Sequence, residues 1–112
     1  MERDEVLVMN IREFFQEAGD GASKGRFTAA YILLFKALSA IADLTILRKK
    51  GIIPKNHTQR FNVLPFVDPG LMNRLSEAFE EYVNAFSKQI SKESFDGLKE
   101  VVKRYGKNVG AL

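Results

Sequence analysis

The chain has 112 residues, 46% of them apolar and 28% charged, a net charge of +3 and no cysteine. That is the size of one domain, 1–112, with enough apolar content to bury a core without disulfides or metal. The missing cysteine excludes disulfides, thiolate nucleophiles, cysteine zinc sites and iron–sulfur clusters, and it fits a reducing cytoplasm.

A first helix is predicted from Glu2 to Ala18. Leu7, Ile11, Phe14 and Ala18 recur at helical spacing, and Glu2, Asp4 and Glu5 suit the positive end of the dipole. Gly19-Asp20-Gly21 reads as its terminator. The charged start, Met1-Glu2-Arg3-Asp4-Glu5, is unlike a signal peptide.

A second helix is predicted from Ser23 to Lys50, on the order of 40 Å long. Two apolar stripes, Phe27/Tyr31/Leu34/Leu38/Ile41 and Ala30/Leu33/Ala37/Leu44/Leu47, give it cover on two sides. It is therefore the expected central helix. The tract Phe27–Leu47 has the length of a membrane span, but Lys36, Ser39, Asp43 and Thr45 interrupt it. Two charges near the middle argue for a buried helix and no membrane. Gly51, after three cations, is the predicted stop.

After the connector Ile52-Ile53-Pro54-Lys55, Asn56 and Gln59 have capping-box spacing. They predict a short helix from His57 to Leu64, bounded by Pro65. Asp68-Pro69 is a second start, opening a helix to Gln89 with Leu71, Leu75, Ala78, Phe79, Tyr82, Val83, Phe86 and Ile90 inward. Ser91 opens the last helix, with Phe95, Leu98, Val102 and Tyr105 on one face and Gly106 as its stop. No segment alternates with period two. The predicted fold is all-α: an up-and-down four-helix bundle with a short additional helix.

Charge is spread unevenly. Residues 1–23 carry six acids and two bases, residues 88–107 six bases and three acids, and residues 48–60 five bases and no acid. Such a patch could steer an anionic partner, or could reflect the ordinary liking of helix C-termini for cations. The run 48–60 also holds the only histidine. His57 is the candidate acid or base, with Arg60 one turn along the same face. Arg48, Lys50 and Lys55 are candidate anion or nucleic-acid ligands. The plainer alternative has His57 packed over Gly51 and the cations solvated. Three consecutive residues point about 100° apart, so Arg48-Lys49-Lys50 cannot all face one ligand.

Other polar interruptions have bland readings. Asp43 needs a cation such as Arg74, or lies with Lys36 on a thin solvated strip. Glu77, Glu80 and Glu81 read as an exposed acidic face. Tyr31 and Tyr82 read as core or interface. With no Gly-rich phosphate loop and no histidine pair, no cofactor and no metal are expected.

Residues 24–90 resemble the HEPN superfamily (higher eukaryotes and prokaryotes nucleotide-binding domain). The resemblance rests on the aromatic- and alanine-rich helix Arg26-Phe27-Thr28-Ala29-Ala30-Tyr31-Ile32-Leu33-Leu34-Phe35-Lys36-Ala37-Leu38. It rests also on the connector Gly51-Ile52-Ile53-Pro54-Lys55-Asn56-His57, which has the pattern Gly-X-X-Pro-Lys-X-His seen in many members. The resemblance implies a helical bundle, a homodimer, and often a nucleotidyltransferase-type partner in toxin–antitoxin systems. Active members are metal-independent ribonucleases with an Arg-x4–6-His motif. Here the positions that motif assigns to arginine hold Lys50, Gly51 and Ile52. The expectation is therefore a non-catalytic homodimer that binds a nucleotide, RNA or a partner protein. The alternatives are a ribonuclease using His57 with Arg60 or Arg48, and an assembly subunit without a ligand site.

Overall fold

The computed structural model describes residues 1–112. It is all-helical: α1 spans Arg3–Ser23, α2 Phe27–Lys50, α3 His57–Val63, α4 Pro69–Asn84 and α5 Lys92–Asn108, with a 3-10 turn at Leu64–Phe66.

Local chemistry accounts for most boundaries. Gly51 closes α2 in the left-handed region, at φ 74°, and its N–H donates to the Leu47 carbonyl. A side chain with a β-carbon resists that conformation, whereas glycine adopts it freely. Asn56 caps α3 by accepting the Gln59 N–H at 2.9 Å, and Gln59 answers by accepting the Lys55 N–H at 2.7 Å. Asp68 caps α4 through the Leu71 N–H, with Pro69 in the first turn. Ser91 caps α5 through the Ser94 N–H.

Four boundaries differ from the predicted ones. α1 continues through Gly19 and Gly21 to Ser23, because the turn into α2 is made instead by Gly25, at φ 74°. α2 accordingly begins at Phe27 rather than Ser23. α4 stops at Asn84, and the chain to Ile90 runs as a turn pinned by the Thr28 hydroxyl, which accepts the Ile90 N–H at 2.9 Å. α5 passes through Gly106 to Asn108, because Gly106 is buried beneath Leu112 and the turn falls at Gly110, φ 76°.

The four long helices alternate in direction. Asp4 of α1 pairs with Arg48 of α2, while Gly21 of α1 lies against Ala30, so α1 and α2 are antiparallel. Thr28 reaches Gln89 beyond the end of α4, and the Tyr31 hydroxyl lies 3.5 Å from the Ala78 carbonyl, so α4 is antiparallel to α2. Phe27 meets Phe95 at one end and Arg48 donates to the Val109 carbonyl at the other, so α5 runs with α2. Each of α1, α4 and α5 packs mainly on α2, and α4 and α5 meet each other little.

α2 supplies most of the core: Leu34, Phe35, Leu38, Ile41, Leu44 and Ile46 are almost wholly buried, joined by Ile11, Leu64, Leu71, Leu75 and Val102. Each such side chain contributes roughly 1.5–3 kcal/mol by leaving water. α2 is also the one helix long and apolar enough to cross a bilayer, and 72% of that apolar window is buried by the rest of the chain.

Candidate functional site

Lys36, Ser39 and Asp43 recur on one face of α2 at helical spacing, i, i+3 and i+7. Around that face lies a cleft of about 320 Å³. α1 lines it with Leu7, Asn10 and Phe14; α2 adds Phe35 and Ala40 to its polar face; α3 contributes His57 and Arg60, and α4 contributes Tyr82. The capped start of α3 therefore delivers the histidine to the side of the central helix where its apolar run is broken.

The cleft is organised by one guanidinium. Arg60 is only 9% exposed and Asp43 only 8%. Arg60 Nε donates to Asp43 Oδ1 at 2.7 Å and Nη2 to Oδ2 at 3.0 Å, a bidentate pair. Its third contact is Nη1 to His57 Nδ1, at 2.7 Å. A guanidinium only donates, so Nδ1 must accept. The ring hydrogen therefore sits on Nε2, and His57 in this state is neutral.

The imidazole rests among aromatic side chains, with centroids 5.5 Å from Phe79, 5.7 Å from Phe35, 6.2 Å from Phe61 and 6.4 Å from Tyr82. The residue as a whole is exposed, but partial desolvation by these rings lowers its pKa below 6.5, and the charges of Arg60 and Lys36 lower it further while Asp43 opposes them. Phe35 and Tyr82 stack at 4.3 Å and 20°, forming one continuous wall.

One polar atom in this region lacks a partner. Ser39 is 8% exposed and lines the cleft, yet its hydroxyl makes no hydrogen bond. Thr45, two turns on, bonds the carbonyl of Ile41 four residues back at 2.9 Å, and Ser39 does nothing comparable.

Of the residues singled out from sequence, the structure brings together His57 and Arg60. Arg48 lies outside the cleft lining. It binds Asp4 at 2.8 and 3.3 Å and the Val109 carbonyl at 2.7 Å, tying α1, α2 and α5. Lys50 and Lys55 are exposed, lie outside the cleft lining and enter no ion pair. Asp43 does not pair with Arg74, which meets Glu77 at 3.3 Å, and it is not on a solvated strip: its cation is Arg60. His57 packs on aromatic rings rather than over Gly51. Sequence reasoning did not assign Lys36, Ser39 and Asn10 to the site. The available signal was the set of polar breaks at positions 36, 39 and 43 in an otherwise apolar helix.

The cleft is thus lined by an imidazole, an ammonium and an amide beside aromatic faces, and by Ser39, whose unpaired hydroxyl is itself closed to solvent. No cluster of three or more histidine, aspartate or glutamate side chains is gathered anywhere as a metal site. Compared with family models, curated proteins and solved structures, the chain matches none.

Proposed function

We propose that the chain is a HEPN-like helical domain that binds a nucleotide or RNA without cleaving it, and that it acts as a homodimer. The observation that carries this reading is the donor-rich cleft: Lys36, Ser39 and His57, whose ring hydrogen is on Nε2, line the same hollow as Phe14, Phe35 and Tyr82. Phosphate and base edges are rich in acceptors, and bases stack on aromatic rings. The exposed cations Lys49, Lys50 and Lys55, on the same α2–α3 junction, supply further phosphate contacts for a longer strand.

The non-catalytic part of the reading follows from the same histidine. Its Nδ1 is occupied by Arg60 and its Nε2 carries the hydrogen, so the ring has no free lone pair with which to take a proton from an attacking hydroxyl. Dimerisation is supported by Val83 and Phe86, which lie three residues apart at the C-terminal end of α4 and are exposed rather than inward as the sequence pattern predicts.

The test is a salt titration of oligoribonucleotide binding by fluorescence anisotropy. The logarithm of affinity should fall linearly with that of salt, with a slope of about −0.7 per neutralised phosphate. A flat response together with no nucleotide binding at millimolar concentration refutes the ligand. His57-dependent cleavage refutes the non-catalytic assignment, and a monomer at micromolar concentration in sedimentation refutes the dimer.

A further inference from the structure

We infer that the cleft carries a seat for a phosphate group, with Lys36, Ser39 and His57 as its ligands and Arg60 as the residue that positions the histidine; the Ser39 hydroxyl, closed to solvent in the empty cleft, turns toward the group as it enters. This deepens the nucleotide reading and rests on it, by assigning the seat to particular atoms.

Three observations converge. The first is Ser39. A hydroxyl on a residue 8% exposed, with no partner in the chain, is an uncommon and unfavourable arrangement unless something from outside completes it. Its residue lines the cleft, one turn from Lys36 on the same face of α2.

The second is the local charge. Asp43 lines the same cleft and, left alone, would repel an anion. Arg60 covers both its carboxylate oxygens, at 2.7 and 3.0 Å, and cancels that charge in place. What remains unpaired is the single positive charge of Lys36.

The third is the direction of the histidine. Because Arg60 Nη1 donates to Nδ1, the ring offers a hydrogen from Nε2 rather than a lone pair. Ammonium, hydroxyl and imidazole N–H are then all able to donate. A tetrahedral group with several acceptor oxygens satisfies them together. Arg60, its guanidinium already engaged three times, acts through His57 and not on the ligand.

The experiment uses the full chain with histidine ring nitrogens labelled for NMR. His57 is the only histidine, so the signals need no assignment. At neutral pH and without ligand they should report a neutral ring with its hydrogen on Nε2. Inorganic phosphate and AMP should each shift them saturably. Lys36→Gln and Ser39→Ala should each weaken both ligands by roughly tenfold, the loss expected for one charge-assisted hydrogen bond. Lys107→Gln, on exposed α5 surface, should leave binding unchanged.

Ser39→Ala separates a ligand from a structural residue. It removes an unpaired buried group, so its melting temperature should hold or rise while binding falls. Unchanged phosphate affinity in that variant overturns the assignment, as does a ring with its hydrogen on Nδ1. If RNA binds but phosphate leaves the imidazole signals unmoved, the seat fails and the nucleic-acid reading stands. If phosphate, AMP and RNA all fail to bind, both fall.

Discussion

Removing the Asp43 carboxylate is the most incisive perturbation of this molecule. Asp43→Ala leaves the Arg60 guanidinium, whose side chain is 10% exposed, with one neutral acceptor, His57 Nδ1. An uncompensated buried charge costs about 3–5 kcal/mol. The alternative is for α3 to swing out and hydrate the arginine. That exposes Leu64, now fully buried, and the partly buried Phe61, at roughly 1.5–3 kcal/mol each. Both routes cost about the same, so relaxation offers no cheap escape. For a domain of this size, each 1 kcal/mol lowers Tm by about 4 °C, which places the loss at roughly 12–20 °C. Calorimetry measures it directly. Replacing both partners, Asp43→Leu with Arg60→Met, removes the charges together and should return to within about 1 kcal/mol of the parent or exceed it. A single-variant loss below about 1 kcal/mol would show that the pair behaves as a solvated surface contact, and the account of the cleft built on it would collapse.

Two further outcomes follow from the geometry. Partial desolvation and the neighbouring Arg60 charge hold the His57 pKa below 6.5, so the folded chain binds fewer protons than the unfolded one; its stabilising contribution is complete above about pH 6.5 and is lost as pH falls through the depressed folded value. Denaturant titrations from about pH 7.5 down to about pH 5 should show this decline and lose it in His57→Gln, whereas identical profiles would remove the assigned desolvation of the ring. Gly51→Ala, at φ 74° with nothing within 4 Å of the new methyl, should cost about 1–2 kcal/mol by backbone strain alone, and an unchanged denaturation midpoint would contradict that backbone geometry.

The helices were legible where one residue decides locally. Asn56, Asp68 and Ser91 each cap within three residues, and Gly51 ends a helix by its own φ. Gly19, Gly21 and Gly106 misled for a common reason: glycine permits a turn without requiring one. Gly19 and Gly21 sit inside α1, where Gly21 lies against Ala30 and lets two backbones approach at the hairpin, and Gly106 makes room for the returning C-terminal residues. The end of α4 at Asn84 depends on Thr28, more than fifty positions away, and no local signal marks it.

The site was half legible. His57 and Arg60 were visible because they lie one helical turn apart. Which arginine faces which acid was not, since the Arg48–Asp4 pair spans 44 positions and the Arg60–Asp43 pair 17. Charge runs in a sequence count cations, and only packing decides which of them are already neutralised. The polar breaks in α2 were the better pointer, because each one gives up an apolar side chain in the helix that supplies most of the core.

The dependence of α1, α4 and α5 on α2 gives the molecule the mechanics of a spindle. A flank can loosen by itself, but nothing survives withdrawal of the axle. Amide hydrogens around Ile41–Ile46 should therefore exchange last, at the rate of whole-molecule opening, while the outer helices report smaller, independent excursions. The cleft is cut into the side of that axle, so its floor belongs to the most persistent part of the protein and its lip to the short helix carrying the imidazole.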